Sequence, residues 1–390
     1  MARRVFHFLS IAALLAPLAS CQSVTDQYNR LVHGGTPAQP PAPLVAIQAT
    51  AKPAIVWQGS VGSGDKEVFF PAPSGNIVFA AGASGQIVGF DAVKGGAISR
   101  LDAGQRLSGG VGIGGGMILA GTPKGEVLAF DAQGKALWRA QLTSEVLAPP
   151  VAADGVVIAR SGDGRLYGLD ATDGRRRWIY QRPTSVPLTV RTHVGFIVHR
   201  GAIFAGFPGG RLVALSAANG GVGWEGVVAI PRGATELERV SDVTSLPVTD
   251  DQRICAVAFQ GRVACFDLNT GTALWSRDAS SIAGLTLDPR YLYLTDDKNA
   301  VLAFDKTSGA SIWKQDKLTG RRVTAPLAFG RFVIVGDFEG YVHLLSREDG
   351  SFAARIATDG SAIGAPPIQI DLTSFLVQTR KGGVFAINVQ

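Results

Sequence analysis

Histidine is scarce in this 390-residue chain, with His7, His33, His193, His199 and His343 its only copies, and none stands in a His-Glu-x-x-His pairing. That removes the familiar spacing for a zinc site. Cysteine is scarcer still, at positions 21, 255 and 265, and no two are adjacent. A GxSxG nucleophile elbow is missing, because Gly82-Ala83-Ser84-Gly85 breaks the spacing. Gly110 to Gly115 satisfies GxGxxG in letters, yet MILAG follows, a strand pattern with no helix whose N-terminus would hold a pyrophosphate. No catalytic residue, metal site or cofactor is therefore assigned. Charged residues make up only 17% of the chain and helix signals are few. The net charge is +6, or +4 without Arg3 and Arg4. The basic runs Arg175-Arg176-Arg177 and Arg321-Arg322 lie far apart without interleaved aromatics, which argues against nucleic acid as a partner.

What the chain has in abundance is glycine, 49 residues, and one repeated sentence. The stretch from Gly164 to Trp178, GRLYGLDATDGRRRW, holds a turn, a strand, an Asp, a second turn ending in Gly, and a Trp opening the next strand. Aligned on the Asp position, eight copies fall at Asp91, Asp131, Asp170, Ser216, Asp267, Asp305, Ser346 and Asn388. The positions one and four before each anchor are apolar in every copy. Alternation along a strand puts those two positions on opposite faces, so the sheet is buried on both sides. A period of about 40 residues with such strands points to stacked four-stranded blades.

The N-terminus reads as a targeting segment. Arg3 and Arg4 precede one apolar run, Val5 to Leu18, too short to span a bilayer comfortably. Leu18-Ala19-Ser20-Cys21 resembles a bacterial lipobox, which implies cleavage after residue 20 and a lipid on Cys21. Residues 21–52, with TPAQPPAP and little hydrophobic pattern, read as a flexible tether. Residues 53–390 then form the folded part.

Five Trp residues, Trp138, Trp178, Trp224, Trp275 and Trp313, stand seven or eight places after an anchor, and Trp57 is left near the start. The last copy lacks a Trp strand because the chain stops two residues after Asn388. Trp57 is therefore expected on a strand that completes the C-terminal blade. The expectation is an all-β, eight-bladed propeller of four-stranded antiparallel blades, closed by pairing N- and C-terminal strands, with Trp side chains between blades. Ser99 and Ala354 occupy the Trp position in blades one and seven, so those contacts should be lighter. Cys255 and Cys265 flank the Gln260-Gly261 turn. A cross-strand disulfide and two buried thiols both remain open.

The two longest intervals between anchors, 46 and 51 residues, are consecutive and enclose SVPLTVRTHVGF and IPRGATELERVSDVTSLP. A blade needs none of that length, so function is expected there. Leu188 and Val190 offer apolar contact beside the donor Arg191, and Arg239 and Asp242 add charge in the second segment.

The Gly, Asp, Gly and Trp pattern resembles the pyrroloquinoline-quinone propeller superfamily. Within it the whole chain is similar to the BamB family of outer-membrane lipoproteins, through WQGSVGSG at Trp57 to Gly64, GATELERVSDV at Gly233 to Val243, and GDFEGYVHLLSREDG at Gly336 to Gly350. The resemblance implies a non-enzymatic scaffold of the barrel-assembly (BAM) complex, anchored to the outer membrane by its lipid and facing the periplasm. It implies contact with the periplasmic domains of the BamA barrel protein and with other BAM components. It places the BamA contact on the two long segments, at Leu188, Val190, Arg191 and Asp242, with Thr244 where the family often has a second acid. Unfolded outer-membrane protein strands are a further partner. The alternative within the superfamily is a periplasmic quinoprotein dehydrogenase, many of which carry adjacent cysteines against the cofactor. No Cys-Cys pair exists in this chain.

Overall fold

The computed structural model describes residues 40–183, 188–190 and 195–389. The chain divides into two units, Met1–Pro41 and Ala42–Gln390. Of the first, only residues 40 and 41 are described.

The second unit holds eight sheets of four antiparallel strands. We number the blades one to eight from residue 72. The repeat explains the strands one by one. In blade one, Ile77–Ala81 and Gln86–Asp91 are the second and third strands, and nearly every residue in them is buried. The fourth strand, Ala97–Asp102, is exposed along most of its length. The first strands are short and touch their counterparts in neighbouring blades, so they form the inner wall of a ring. Apolar side chains from both faces of each blade meet those of the next blade in eight separate clusters. The core is thus a set of seams between blades, as a sheet buried on both faces requires.

Closure follows the expectation from Trp57. The strand Pro53–Ser60 pairs antiparallel with Gly383–Val389, and Trp57 stands opposite Ala386. In the other five Trp-bearing blades the indole likewise faces the small residue two places before the anchor, as Trp178 faces Gly168. Each indole N–H then reaches the neighbouring blade. Trp57 donates to the carbonyl of Ala92 at 2.9 Å, Trp178 to Ala217 at 3.1 Å and Trp313 to Arg347 at 2.8 Å. The acceptor is always the residue after the next anchor, including Ala171 for Trp138, Leu268 for Trp224 and Lys306 for Trp275. The ring lies flat under the next turn glycine. A Cβ on Gly350, whose φ is +72°, would stand 2.5 Å from the Trp313 ring, so this turn needs glycine for its space as well as for its conformation.

The two blades without Trp are filled differently. In blade one, Ser99 pairs with Gly89, and Leu101 lies under the turn at Gly134. In blade seven, Ala354 pairs with Leu344, and the space is taken by residues 42–51. The last part of the stretch read as a tether therefore lies along blade seven. The Thr50 and Ala51 amides both donate to the Ala353 carbonyl, at 2.8 and 3.3 Å, and Ala51 is buried in the seam with Ala354 and Ile387. Arginines hold the rest by its carbonyls: Arg321 donates to Ala42 at 3.1 Å and Arg355 to Val45 at 3.2 Å.

Behind those arginines sits a buried polar group. Arg321 donates to Asp337 at 2.8 Å, and His343 Nε2 lies 3.0 Å from the same carboxylate. Arg355 Nε donates to His343 Nδ1 at 3.2 Å, which fixes the neutral Nε2–H tautomer. Burial pushes the Asp337 carboxyl up, but His343 and Arg321 outweigh it and hold the group below its usual range. Burial, helped by the charges of Arg355 and Arg321, lowers His343 despite the carboxylate beside it.

Cys255 and Cys265 stand directly opposite each other in blade five and are bonded as a disulfide. A turn centred between Gln260 and Gly261 would have offset them. The hairpin loop is instead centred on Gln260, which takes a left-handed conformation (φ 48°), so the register is even and the sulfurs meet.

Candidate partner-binding face

The two interruptions of the repeat are adjacent. The first joins Arg176–Tyr180 of blade three to Phe196–His199 of blade four, and the second joins Val222–Val227 of blade four to Val248–Thr249 of blade five. Asp242 ties them together. Its carboxylate accepts the N–H of Val190 at 2.8 Å and the N–H of Gly209 at 3.1 Å, and the residue is only 3% exposed. Burial raises its carboxyl, while the two amides and the charge of Arg160 oppose the rise. Leu246 in the second segment also packs on Gly195 at the end of the first.

The second segment has its own brace. Thr235 and Glu238 form a capping box. The Glu238 carboxylate accepts the N–H groups of Ala234 at 2.8 Å and Thr235 at 3.1 Å, and Thr235 Oγ1 accepts the Glu238 N–H at 3.2 Å. These two amides pull the Glu238 carboxyl below its usual range. Arg239 Nε donates to the Gly233 carbonyl at 3.0 Å, closing the turn from outside. The Gln260 side-chain amide faces the carbonyls of Leu237, Glu238 and Val240, an arrangement only its nitrogen satisfies. The turn held this way presents Leu237, which is 69% exposed, and Ile230 just before it is 64% exposed.

The sequence-predicted residues fall into distinct places. Leu188 is exposed at 45%, and Val190 is half-buried with its amide on Asp242. Arg239 is exposed, and its side chain is used on Gly233. Asp242 faces inward and is occupied by this chain's own backbone. Thr244 is buried and donates to the Ser281 carbonyl at 3.3 Å. Arg191 and Cys21 lie outside the described residues.

Sequence reasoning missed Arg160. It is buried in a cleft of about 340 Å³ that Val190 and Asp242 also line, its guanidinium stacks 5.0 Å over Phe207, and burial brings its pKa down to about 10. Its signal was present: it ends a second strand where most other copies carry a small or apolar residue, such as Ala81, Gly121 and Val257.

Ring and repeat define a β-propeller of the pyrroloquinoline-quinone-like class, with one braced, partly apolar face. A solved quinohemoprotein alcohol dehydrogenase from Comamonas testosteroni shares that fold at 12% identity and a TM-score of 0.69, covering 86% of this chain and 76% of that one. The family model described as outer membrane protein assembly factor BamB matches residues 83–315 and 301–390. The BamB assembly factor of Nitrosomonas eutropha is 46% identical over 350 residues, which cover 90% of this chain and 85% of that protein. The crystal structure of BamB from Moraxella catarrhalis covers 86% of this chain and 100% of that one, with a TM-score of 0.79 at 26% identity. The chain belongs to the BamB family of outer membrane protein assembly factors.

Proposed function

We propose that this chain is a non-enzymatic scaffold of outer-membrane protein assembly, working within the BAM complex. It is anchored at the outer membrane by a lipid on Cys21, after removal of residues 1–20, and faces the periplasm. The two adjacent segments hold the periplasmic domains of BamA. The observation that carries this reading is Asp242, whose buried carboxylate fixes the backbone of one segment to the other. Leu188, Ile230 and Leu237 are then presented on preorganised main chain, so little ordering entropy is lost on contact. Arg191, next to Val190 in the sequence, supplies a directional donor. The Cys255–Cys265 disulfide suits an oxidising compartment such as the periplasm. Exposed fourth strands offer edges to unfolded client strands by β-augmentation.

Capture of the BAM complex on the immobilised chain tests the contact. Leu188→Glu combined with Arg191→Glu is expected to cut capture roughly tenfold or more without moving the melting temperature. Asp242→Ala should lower both. Undiminished capture by the folded double variant would remove the proposed contact.

A further inference from the structure

The inner wall of the ring opens into a cavity of about 650 Å³ bounded by residues from blades four to eight and from the segment that enters blade one. Its wall is apolar, with Phe70, Ile197, Leu246, Ile282 and Phe338 among the lining side chains. Two guanidinium-bearing residues, Arg322 and Arg380, stand at this cavity, and both are exposed. Arg322 uses its main-chain N–H on Asn299, and Arg380 its carbonyl on Gly64 and Ser63. Among the described residues, neither side chain has an ion pair or hydrogen bond, and no Asp or Glu lines the cavity.

An apolar wall and two unpaired cations at its edge are each unproductive alone. One ligand class satisfies both at once. We infer that the channel mouth binds an amphipathic anion, an apolar chain ended by a carboxylate, with the chain against the inner wall and the carboxylate at Arg322 and Arg380. The volume falls in the range of small-ligand pockets, and guanidinium groups match carboxylate geometry. Such a terminus occurs on a fatty acid and on a peptide ending in apolar residues.

Calorimetric titration of the full mature chain at sub-micellar ligand concentration tests this. Dodecanoate is expected to bind saturably with one site, and dodecanol at least tenfold more weakly. Arg322→Glu with Arg380→Glu, both at exposed positions, should weaken dodecanoate at least tenfold at an unchanged melting temperature. A tetrapeptide of apolar residues, as free acid and as amide, separates the sources. Binding of the acid but not the amide identifies a chain terminus, and saturation by dodecanoate alone identifies an acyl carboxylate. Absence of saturation by both acids, equal binding of dodecanol, or an unchanged affinity in the double charge reversal would overturn the site.

Discussion

The seam between blades six and seven and the seam between blades seven and eight solve the same packing problem by opposite means. In the first, Trp313 fills the gap from within the repeat and donates its indole N–H to Arg347 of the next blade. In the second, Ala354 leaves the gap open, and Ala51, far away in sequence, enters it at the end of a segment, residues 42–51, that lies along the blade. A side chain seals a seam as soon as two blades meet. A separate segment seals it only when it has been delivered and held, and here it is held by its backbone amides and carbonyls. One seam is self-sufficient; the other depends on the state of the N-terminal region.

The largest effect is expected where the seal is a single side chain. Trp313→Ala should cost about 3–5 kcal/mol, read as a fall in the denaturant midpoint with little change in slope. A chain beginning at Lys52 should lose about 1–3 kcal/mol, because Arg321 and Arg355 lose Ala42 and Val45 as acceptors and Ala51 leaves its seam. Ala354→Trp sharpens the contrast by changing sign. In the full chain the indole competes with Ala51 and should destabilise by about 1–3 kcal/mol, whereas in the chain beginning at Lys52 it should restore part of the loss.

The smallest effect concerns pH. His343 is buried neutral with its pKa below the ordinary value of 6.5, among Asp337, Arg355, Arg321, Tyr341 and Phe352. The unfolded chain therefore binds more protons just below pH 6.5 than the folded one. Stability from this group is complete above that pH and declines as the pH falls towards the folded pKa. Thermal unfolding between pH 7 and 5 should show this decline, and His343→Gln should flatten it. An equal slope in that variant would mean that His343 does not carry the dependence.

The regular part of the molecule was legible because it is written in side chains at fixed intervals. Asp170, Gly168 and Trp178 recur in register, and even the displaced Trp57 kept enough context to find its blade. The filling of the blade-seven seam was not legible. Residues 42–51 are gripped through backbone amides and carbonyls, and neither leaves a mark in a sequence, so a Pro- and Ala-rich run reads as a tether. The orientation of Asp242 was hidden for a related reason. Its acceptors' partners are the amides of Val190 and Gly209, which belong to every residue, so composition does not distinguish an inward carboxylate from one offered to a partner. Arg160 was available as a charge at the end of an apolar strand, but one exception among eight copies looks like drift until burial is known. The disulfide turned on half a residue of hairpin geometry, settled by the left-handed Gln260.

The pairing of Pro53–Ser60 with Gly383–Val389 also orders events in time. The first strand to be made is the last to find its neighbour, since that neighbour ends at residue 389. Until then Trp57 has no Ala386 opposite it, and two sheet edges stay open. A contact of such sequence separation is slow to form, so the chain stays an unclosed array until its last strand is in place. Loss of the last eight residues would leave it so permanently, with the open edges exposed to proteases and to other chains; closure of the ring is thereby built into the chain's ability to fold.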